Sequence, residues 1–445
     1  MREQRLHAFH ETTMTMLKTI LRQKLPHALV GSLGVALVGC APSPFTGSYI
    51  ERAENDLGEL RARDRALLER AERLVPMAGA NVDPLEAIDA EDFVQLALNQ
   101  NPSLRAAQQR ILRLEERIPQ VTSLTDPMLL IAPAGEMAQT AAGQVSVMTG
   151  VSQKFPFPGK LDTRGRVAAQ DVEIARQDYE RVRLGVIADT RRSYWSLYYA
   201  VRAIEVTTQS RDLLSQLREV AQAKYRVGTA TQEAVLRASV ELNNLSNELI
   251  TLEQRRATAA AMLNMLIDRP VNAPLADPTP IELVRFEARL EDLLASAEQS
   301  NPAIQAIRER IGRFREQREL ARLNRYPDLT VSASYNLVND SGLSGVSNGD
   351  DQWWFGFGIN IPIWQDRLSA AEREATRGIL ETAGMLAGEQ NRIAFRVQDA
   401  FVKVDTQQRQ AVLLRDVIVP EAQQTVEASL SGYRGGDVDF LTLVD

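Results

Sequence analysis

Residues Pro327–Pro362 read PDLTVSASYNLVNDSGLSGVSNGDDQWWFGFGINIP, and their alternation decides the fold. In the first run Leu329, Val331, Ala333, Tyr335 and Leu337 fall on one side of a strand. Thr330, Ser332, Ser334 and Asn336 fall on the other, because successive side chains of a strand point to opposite faces. In the second run Trp353, Phe355, Phe357, Ile359, Ile361 and Ile363 alternate with Trp354, Gly356, Gly358, Asn360 and Pro362. The polar, Gly-rich stretch between them, Asn339 to Asp351, reads as a loop. Strands of about ten residues with one large apolar face, one small or polar face and tryptophans near the ends fit a transmembrane β-hairpin. A soluble hairpin with one face on a core carries the same alternation, so the rest of the chain has to choose between them.

Working outward, the segments that flank this hairpin recur earlier in the chain. Ala97-Leu98-Asn99-Gln100-Asn101-Pro102-Ser103-Leu104 returns as Ala297-Glu298-Gln299-Ser300-Asn301-Pro302-Ala303-Ile304. In each copy a short helix ends before Asn-Pro, and the proline opens the next helix where no amide donor is needed. That next helix is expected to run to about Val121 in the first copy and Arg325 in the second, with Asp126-Pro127 and Tyr326-Pro327-Asp328 leading into strands. The first strand pair comprises the apolar run Met128–Pro133 and a stretch in which Val145, Val147, Thr149 and Val151 alternate with Ser146, Met148, Gly150 and Ser152. It closes at Phe155-Pro156-Phe157-Pro158-Gly159-Lys160-Leu161, which lacks the upstream glycines of a phosphate loop.

A stretch without proline follows, from Gly159 to Arg269. Val172, Ala175, Tyr179, Val182 and Val186 step by threes and fours, as do Leu242, Leu245, Leu249 and Leu252, which is coiled-coil spacing. The strong break is Tyr225-Arg226-Val227-Gly228-Thr229-Ala230, so a helix from Asp162 to Val227 would be roughly 100 Å long at ~1.5 Å per residue. The second copy repeats the plan from Asp366 to Tyr433, with a kink expected at Pro420, and reaches Tyr433-Arg434-Gly435-Gly436-Asp437-Val438 in the same register. By the logic of the repeat, the returning helix of the second copy is cut short at Asp445. The expected organisation is therefore 1–39 as signal peptide, 40–88 as lipid-anchored segment and linker, 89–275 as first repeat and 276–445 as second repeat.

Composition narrows the chemistry. The chain has 445 residues, 24% of them charged, and a formal net charge of -7, which argues against nucleic acid as partner because a phosphate backbone needs a basic face. His7, His10 and His27 and the single cysteine, Cys40, all lie near the N-terminus. There, Lys18, Arg22 and Lys24 precede an apolar run from Ala28 to Val38 that is too short to span a bilayer and ends at Leu37-Val38-Gly39-Cys40. This resembles a bacterial lipoprotein signal in which Cys40 is lipidated. Ala41 and Pro42 follow without an acidic neighbour, which in such lipoproteins implies the outer membrane. Once the signal is removed, no histidine and no free thiol remain for a Ser-His-Asp triad, a Cys-His pair or a His- or Cys-ligated zinc site. No enzyme activity and no cofactor are expected.

Each half supplies two membrane strands, and four strands cannot close a barrel or leave an open edge in lipid. Completion by other copies is required: a dimer would give eight strands and a trimer twelve. The paired Asn-Pro segments, paired strands, Tyr-Arg-x-Gly turns and lipobox together resemble the outer-membrane efflux protein family, TolC-like, and its lipoprotein members, over about Asp89 to Asp445. The resemblance implies a mixed α and β fold: a homotrimer with a twelve-stranded transmembrane β-barrel continued by a long α-helical coiled-coil barrel across the periplasm. It also implies docking onto a periplasmic adaptor coupled to an inner-membrane efflux pump, and a passive exit duct. The run from Phe155 to Leu161 is similar to that of members serving heavy-metal efflux pumps. Mapped onto this sequence, Tyr225, Arg226, Gly228, Tyr433, Arg434 and Gly436 resemble the helix tips that meet the adaptor. Asp445, with Asp437 and Asp439 nearer the tip, resembles an acidic ring at the closed pore. Trp353, Trp354 and Trp364 are candidate membrane-interface anchors, the outer two being about 36 Å apart along an extended strand and roughly 28 Å when tilted. The same duct serving drug efflux or type I secretion, and a periplasmic coiled-coil adaptor or scaffold lipoprotein with soluble strands, remain as second readings.

Overall fold

The computed structural model describes residues 89–134, 139–278, 285–435 and Val438. The signal, Cys40 and the linker therefore lie outside the described residues, as do Gly436, Asp437, Asp439 and Asp445.

Helix α1 (Ala90–Gln100) starts on a capping box: the Asp89 carboxylate accepts from the Glu91 and Asp92 amides while Asp92 returns the bond to the Asp89 amide. Asn101 ends α1 and caps α2 (Pro102–Glu115), its side chain accepting from the Ser103 amide with Pro102 in the first turn. Asn301 does the same between α6 (Leu290–Ser300) and α7 (Pro302–Leu323), accepting from the Ala303 amide with φ of -66° against -62° at Asn101. The two Asn-Pro junctions thus share one backbone geometry. The α2 helix stops earlier than expected, and a separate helix α3 (Arg117–Thr122) follows. Pro119 explains it: its ring opposes the carbonyl of Glu115, the last residue of α2, and it offers no N–H to continue the ladder.

Helix α4 (Lys160–Arg226) is unbroken over 67 residues, roughly 100 Å at ~1.5 Å per residue, and α5 (Gln232–Leu266) returns along it. The reversal needs one left-handed residue, Gly228 at φ +78°, after which the Thr229 amide reaches back to the Lys224 carbonyl at 2.8 Å. Near its start α5 meets the tip of the second long helix; near its end it buries Leu263, with Ile267 just beyond, against Phe93, Leu96 and Ala97 of α1 and Tyr194 and Leu197 of α4. Asn101 closes this core by donating to the Leu266 carbonyl at 2.9 Å. The apolar stripe of α6 repeats that of α1, yet no residue of α6 is buried.

The second long helix is α8 (Gln365–Leu413), a π-helical turn (Leu414–Ile418) and α9 (Val419–Gly435). The kink expected at Pro420 takes the form of this turn, placed just ahead of the proline. It widens the ladder to a Val419 N–H bond with the Leu414 carbonyl, so Asp416, whose carbonyl Pro420 would otherwise crowd, is accommodated. Helix α8 packs on α7 through Gly378. A Cβ there would sit 2.5 Å from the Phe314 ring, whereas at Gly384 and Gly388 it would meet nothing within 4 Å. Gly378→Ala is accordingly expected to cost about 1–3 kcal/mol through overpacking, and Gly384→Ala or Gly388→Ala to gain about 0.5–1 kcal/mol through helix propensity. Opposite shifts of the thermal midpoint check both signs.

Strands β1 (Met128–Pro133), β3 (Gly143–Phe155), β4 (Leu329–Val338) and β5 (Gln352–Ile359) form one antiparallel sheet in that order, and β2 (Gln139–Thr140) pairs only with β3. The sheet is open, with β1 and β5 as its edges among the described residues. Strand β5 ends at Ile359, before Ile361 and Ile363. The Asn360 amide still reaches the Asp328 carbonyl opposite it at 3.4 Å, but the Asp328 amide donates to the Asn360 side chain at 2.5 Å instead of to the ladder, and Pro362 has no N–H to give. No helix of the described residues is long and apolar enough to cross a membrane.

Candidate functional site

Register fixes the two faces of the sheet. Leu129 pairs with Val151, Val151 with Ala333 and Ala333 with Phe355; Val331 pairs with Phe357, and Tyr335 with Trp353. One face is therefore largely apolar, interrupted by Thr149 and Gln153 of β3, and Leu129, Ile131, Trp353, Phe355, Phe357 and Ile359 on it are exposed. The opposite face presents Gly150, Ser152 and Lys154 beside Thr330, Ser332 and Ser334, then Gly356 and Gly358, and on its β1 side it also carries the exposed Met128, Leu130 and Met148. This assignment divides the tryptophans. Trp353 lies on the apolar face, Trp354 lies opposite Ser334 on the small-residue face, and Trp364 lies beyond the strand as the cap of α8. The three are exposed but do not line one strand face.

Where the sheet meets the helices, a buried ion pair joins parts of the chain far apart in sequence. Lys160, only 3% exposed at the first turn of α4, donates to the Asp328 carboxylate at 2.6 Å and to the Tyr326 carbonyl at 2.8 Å. The Phe157 amide donates to the same carboxylate at 3.0 Å, and Lys154 of β3 pairs with its other oxygen at 2.9 Å. The Phe157 and Tyr326 rings stack on one another, 4.5 Å between centroids. Burial alone would raise the Asp328 pKa, but the bonds from Lys160, the Phe157 amide and Lys154 outweigh it and hold it at about 2. Neither Lys160 nor Asp328 has a role in the sequence pattern alone. The available signal was a lone lysine in an apolar, Pro-rich run and an aspartate directly before a strand.

At the far end, the two hairpin tips differ. Tyr225 is 45% exposed, and Arg226 and Gly228 are exposed with it. Tyr433 is 3% exposed, packed with Ala221, Ala234 and Ala238. Lys224 donates to the Tyr433 carbonyl at 2.5 Å and sits 4.1 Å over its ring, a cation–π contact. Tyr433, expected at a tip that meets the adaptor, has its side chain packed inside the chain. Arg434 lies in α9, and Gly436 lies outside the described residues with the aspartates. Among the described residues, no group of three or more His, Cys, Asp or Glu side chains converges as a metal site would.

Known proteins match this chain along most of its length. The family described as "Outer membrane efflux protein" matches residues 93–267 and 293–445. The cobalt-zinc-cadmium resistance protein CzcC of Cupriavidus metallidurans is 23% identical over 375 residues, covering 82% of this chain and 85% of CzcC. The crystal structure of the outer membrane protein VceC from Vibrio cholerae superposes with a TM-score of 0.64 at 18% identity, covering 80% of this chain and 88% of that one. CusC, whose structures were described in connection with folding and transmembrane channel formation, gives a TM-score of 0.64 at 17% identity, covering 80% and 84%. At these identities the likeness to solved structures concerns the fold.

Proposed function

The chain belongs to the outer membrane efflux protein family, and on that premise we propose that it is the outer-membrane exit duct of a tripartite efflux system. Three copies close their sheets into a twelve-stranded barrel. Helices α4, α5, α8 and α9, with their counterparts, continue it as a coiled-coil tube into the periplasm. Residues 89–275 and 276–445 are the two repeats of this plan, and Cys40 carries a lipid anchor. The observation that carries the reading is the open, two-faced sheet. Its apolar side suits lipid, its small and polar side suits a water-filled lumen, and its two unpaired edges are intolerable in a bilayer unless other copies complete them.

The duct has no reaction to catalyse: it passes what an inner-membrane pump and a periplasmic adaptor deliver. The adaptor meets the exposed tip at Tyr225, Arg226 and Gly228, together with Arg434 and Gly436, while Tyr433 braces the second tip against the first. Asp437, Asp439 and Asp445 converge on the axis as an acidic aperture favouring cations. The likeness to CzcC and the run from Phe155 to Leu161 favour heavy-metal cations as cargo.

Single-channel recording in planar bilayers tests this. The purified protein is expected to give discrete, cation-preferring steps, and Lys224→Ala with Tyr433→Ala, which frees the tips from each other, is expected to raise the conductance or the open time. Protein that never conducts would instead favour the adaptor or scaffold reading.

A further inference from the structure

The ion pair at Lys160 has an unfilled counterpart. Strand β3 leaves the sheet at Phe155 and turns through Pro156 into α4, and that turn is closed by Tyr326-Pro327-Asp328, the lead-in to the neighbouring strand β4. Strand β5 leaves the sheet in the same way and turns through Pro362 into α8, where Arg325 reaches the Gln365 side chain but, among the described residues, no ion pair like that of Lys160 closes the turn. A recess of about 610 Å³, lined by Ile363, Trp364, Gln365, Asp366 and Arg367, stands there instead. Arg367 is exposed and makes no ion pair among the described residues. At the other edge of the sheet, the lead-in to β1 is Thr125-Asp126-Pro127, and Asp126 is likewise exposed and makes no ion pair among the described residues.

We propose that Asp126 of one copy of this chain seats in the Ile363–Arg367 recess of the next and pairs with Arg367, so that the joint made within the chain by Lys160 and Asp328 is made a second time between chains. The proposal rests on the multi-copy barrel above. Pairing the next copy's β1 to β5 as β4 pairs to β3, with like faces together, sets the next copy's Leu129 beside Ile361, as Leu329 sits beside Phe155. That register carries Asp126 to the level of Trp364, inside the recess. In the closed joint the acid is one residue before Leu329 and the cation five past Phe155; in the open one the acid is three before Leu129 and the cation six past Ile361. Acid and base have both moved away from the sheet, by two residues and by one. Residue 366, which corresponds to Lys160, is itself an aspartate, so Arg367 supplies the charge opposite in sign to Asp126. The occupant is a second copy rather than another protein, because recess and acid lie at the two complementary free edges of the same sheet.

The full chain has one cysteine, Cys40, so introduced thiols report cleanly. With Asp126→Cys and Arg367→Cys in the same chain, a short bifunctional thiol reagent is expected to convert the detergent-extracted protein into covalent dimers and trimers on denaturing gels. Either substitution alone is expected to lose those bands. As a second measurement, Asp126→Arg is expected to lower the temperature at which the assembly dissociates, and adding Arg367→Asp to restore it. An assembly of native mass that yields no linked species, or a double charge reversal that restores nothing, would overturn the joint and leave the duct standing. A protein that never assembles would overturn the duct, and the joint with it.

Discussion

Replacing Asp328 with Asn lowers stability by about 3–5 kcal/mol, because it removes one partner of a buried pair and leaves Lys160 charged with nothing to balance it. The carboxylate is the hub: Lys160, Lys154 and the Phe157 amide all converge on it, and none of them has another acid at hand. Lys154 is half-exposed and can turn to water, whereas Lys160 cannot. Asp328→Asn combined with Lys160→Met therefore recovers most of the loss, since it removes both charges and keeps an apolar chain of similar length. The wild type has a matching pH dependence. The Asp328 pKa is about 2 in the folded protein against 3.8 for an unperturbed aspartate, so its contribution of about 2 kcal/mol is fully present above the higher value. It is lost as the pH falls through about 2, and the loss is absent from Asp328→Asn. Chemical denaturation of the three proteins across that window distinguishes a buried ion pair from a dispensable surface one.

Arginine at position 355 blocks accumulation in the outer membrane, whereas arginine at position 334 does not. Phe355 sits at mid-height of the sheet, paired to Ala333 and exposed on the apolar face. A cation there faces hydrocarbon at a cost of about 2–4 kcal/mol near the bilayer midplane, and three copies pay it three times. Ser334, one step along β4 from Ala333, points the other way, beside Gly150 and opposite Trp354, on the face that already carries Lys154. In the proposed duct, arginine there enters a wet lumen and is expected to change conductance rather than assembly. Membrane fractionation of Phe355→Arg and Ser334→Arg reads the difference. Equal behaviour of the two would mean that the sheet is not bounded by lipid on one side.

The alternation in Pro327–Pro362 gave both faces of β4 and β5 correctly because side-chain period is a local property. It did not give the end of β5. Ile361 and Ile363 keep the rhythm, but pairing depends on backbone donors, which Pro362 lacks and which Asp328 gives to the Asn360 side chain. The long helix α4 was legible from its spacing and the absence of proline. The stop before Pro119 was not, and at Pro420 the kink was legible but its π-helical form was not, since each is a backbone response to a ring whose size the apolar pattern ignores. At the tips, Tyr225 and Tyr433 have nearly the same neighbours in sequence and opposite exposures. What separates them is Lys224, 209 positions away from Tyr433 along the chain. The ion pair at Lys160 spans 168 positions, and neither residue announces the other. Contacts of this range lie beyond any reading by period or motif.

The mass of the protein after gentle detergent extraction bears most directly on whether one sheet is a third of a closed wall. The account predicts a particle of three chains, resistant to dissociation until heated. A single chain, stable in that form with both edge strands unpaired, would contradict it.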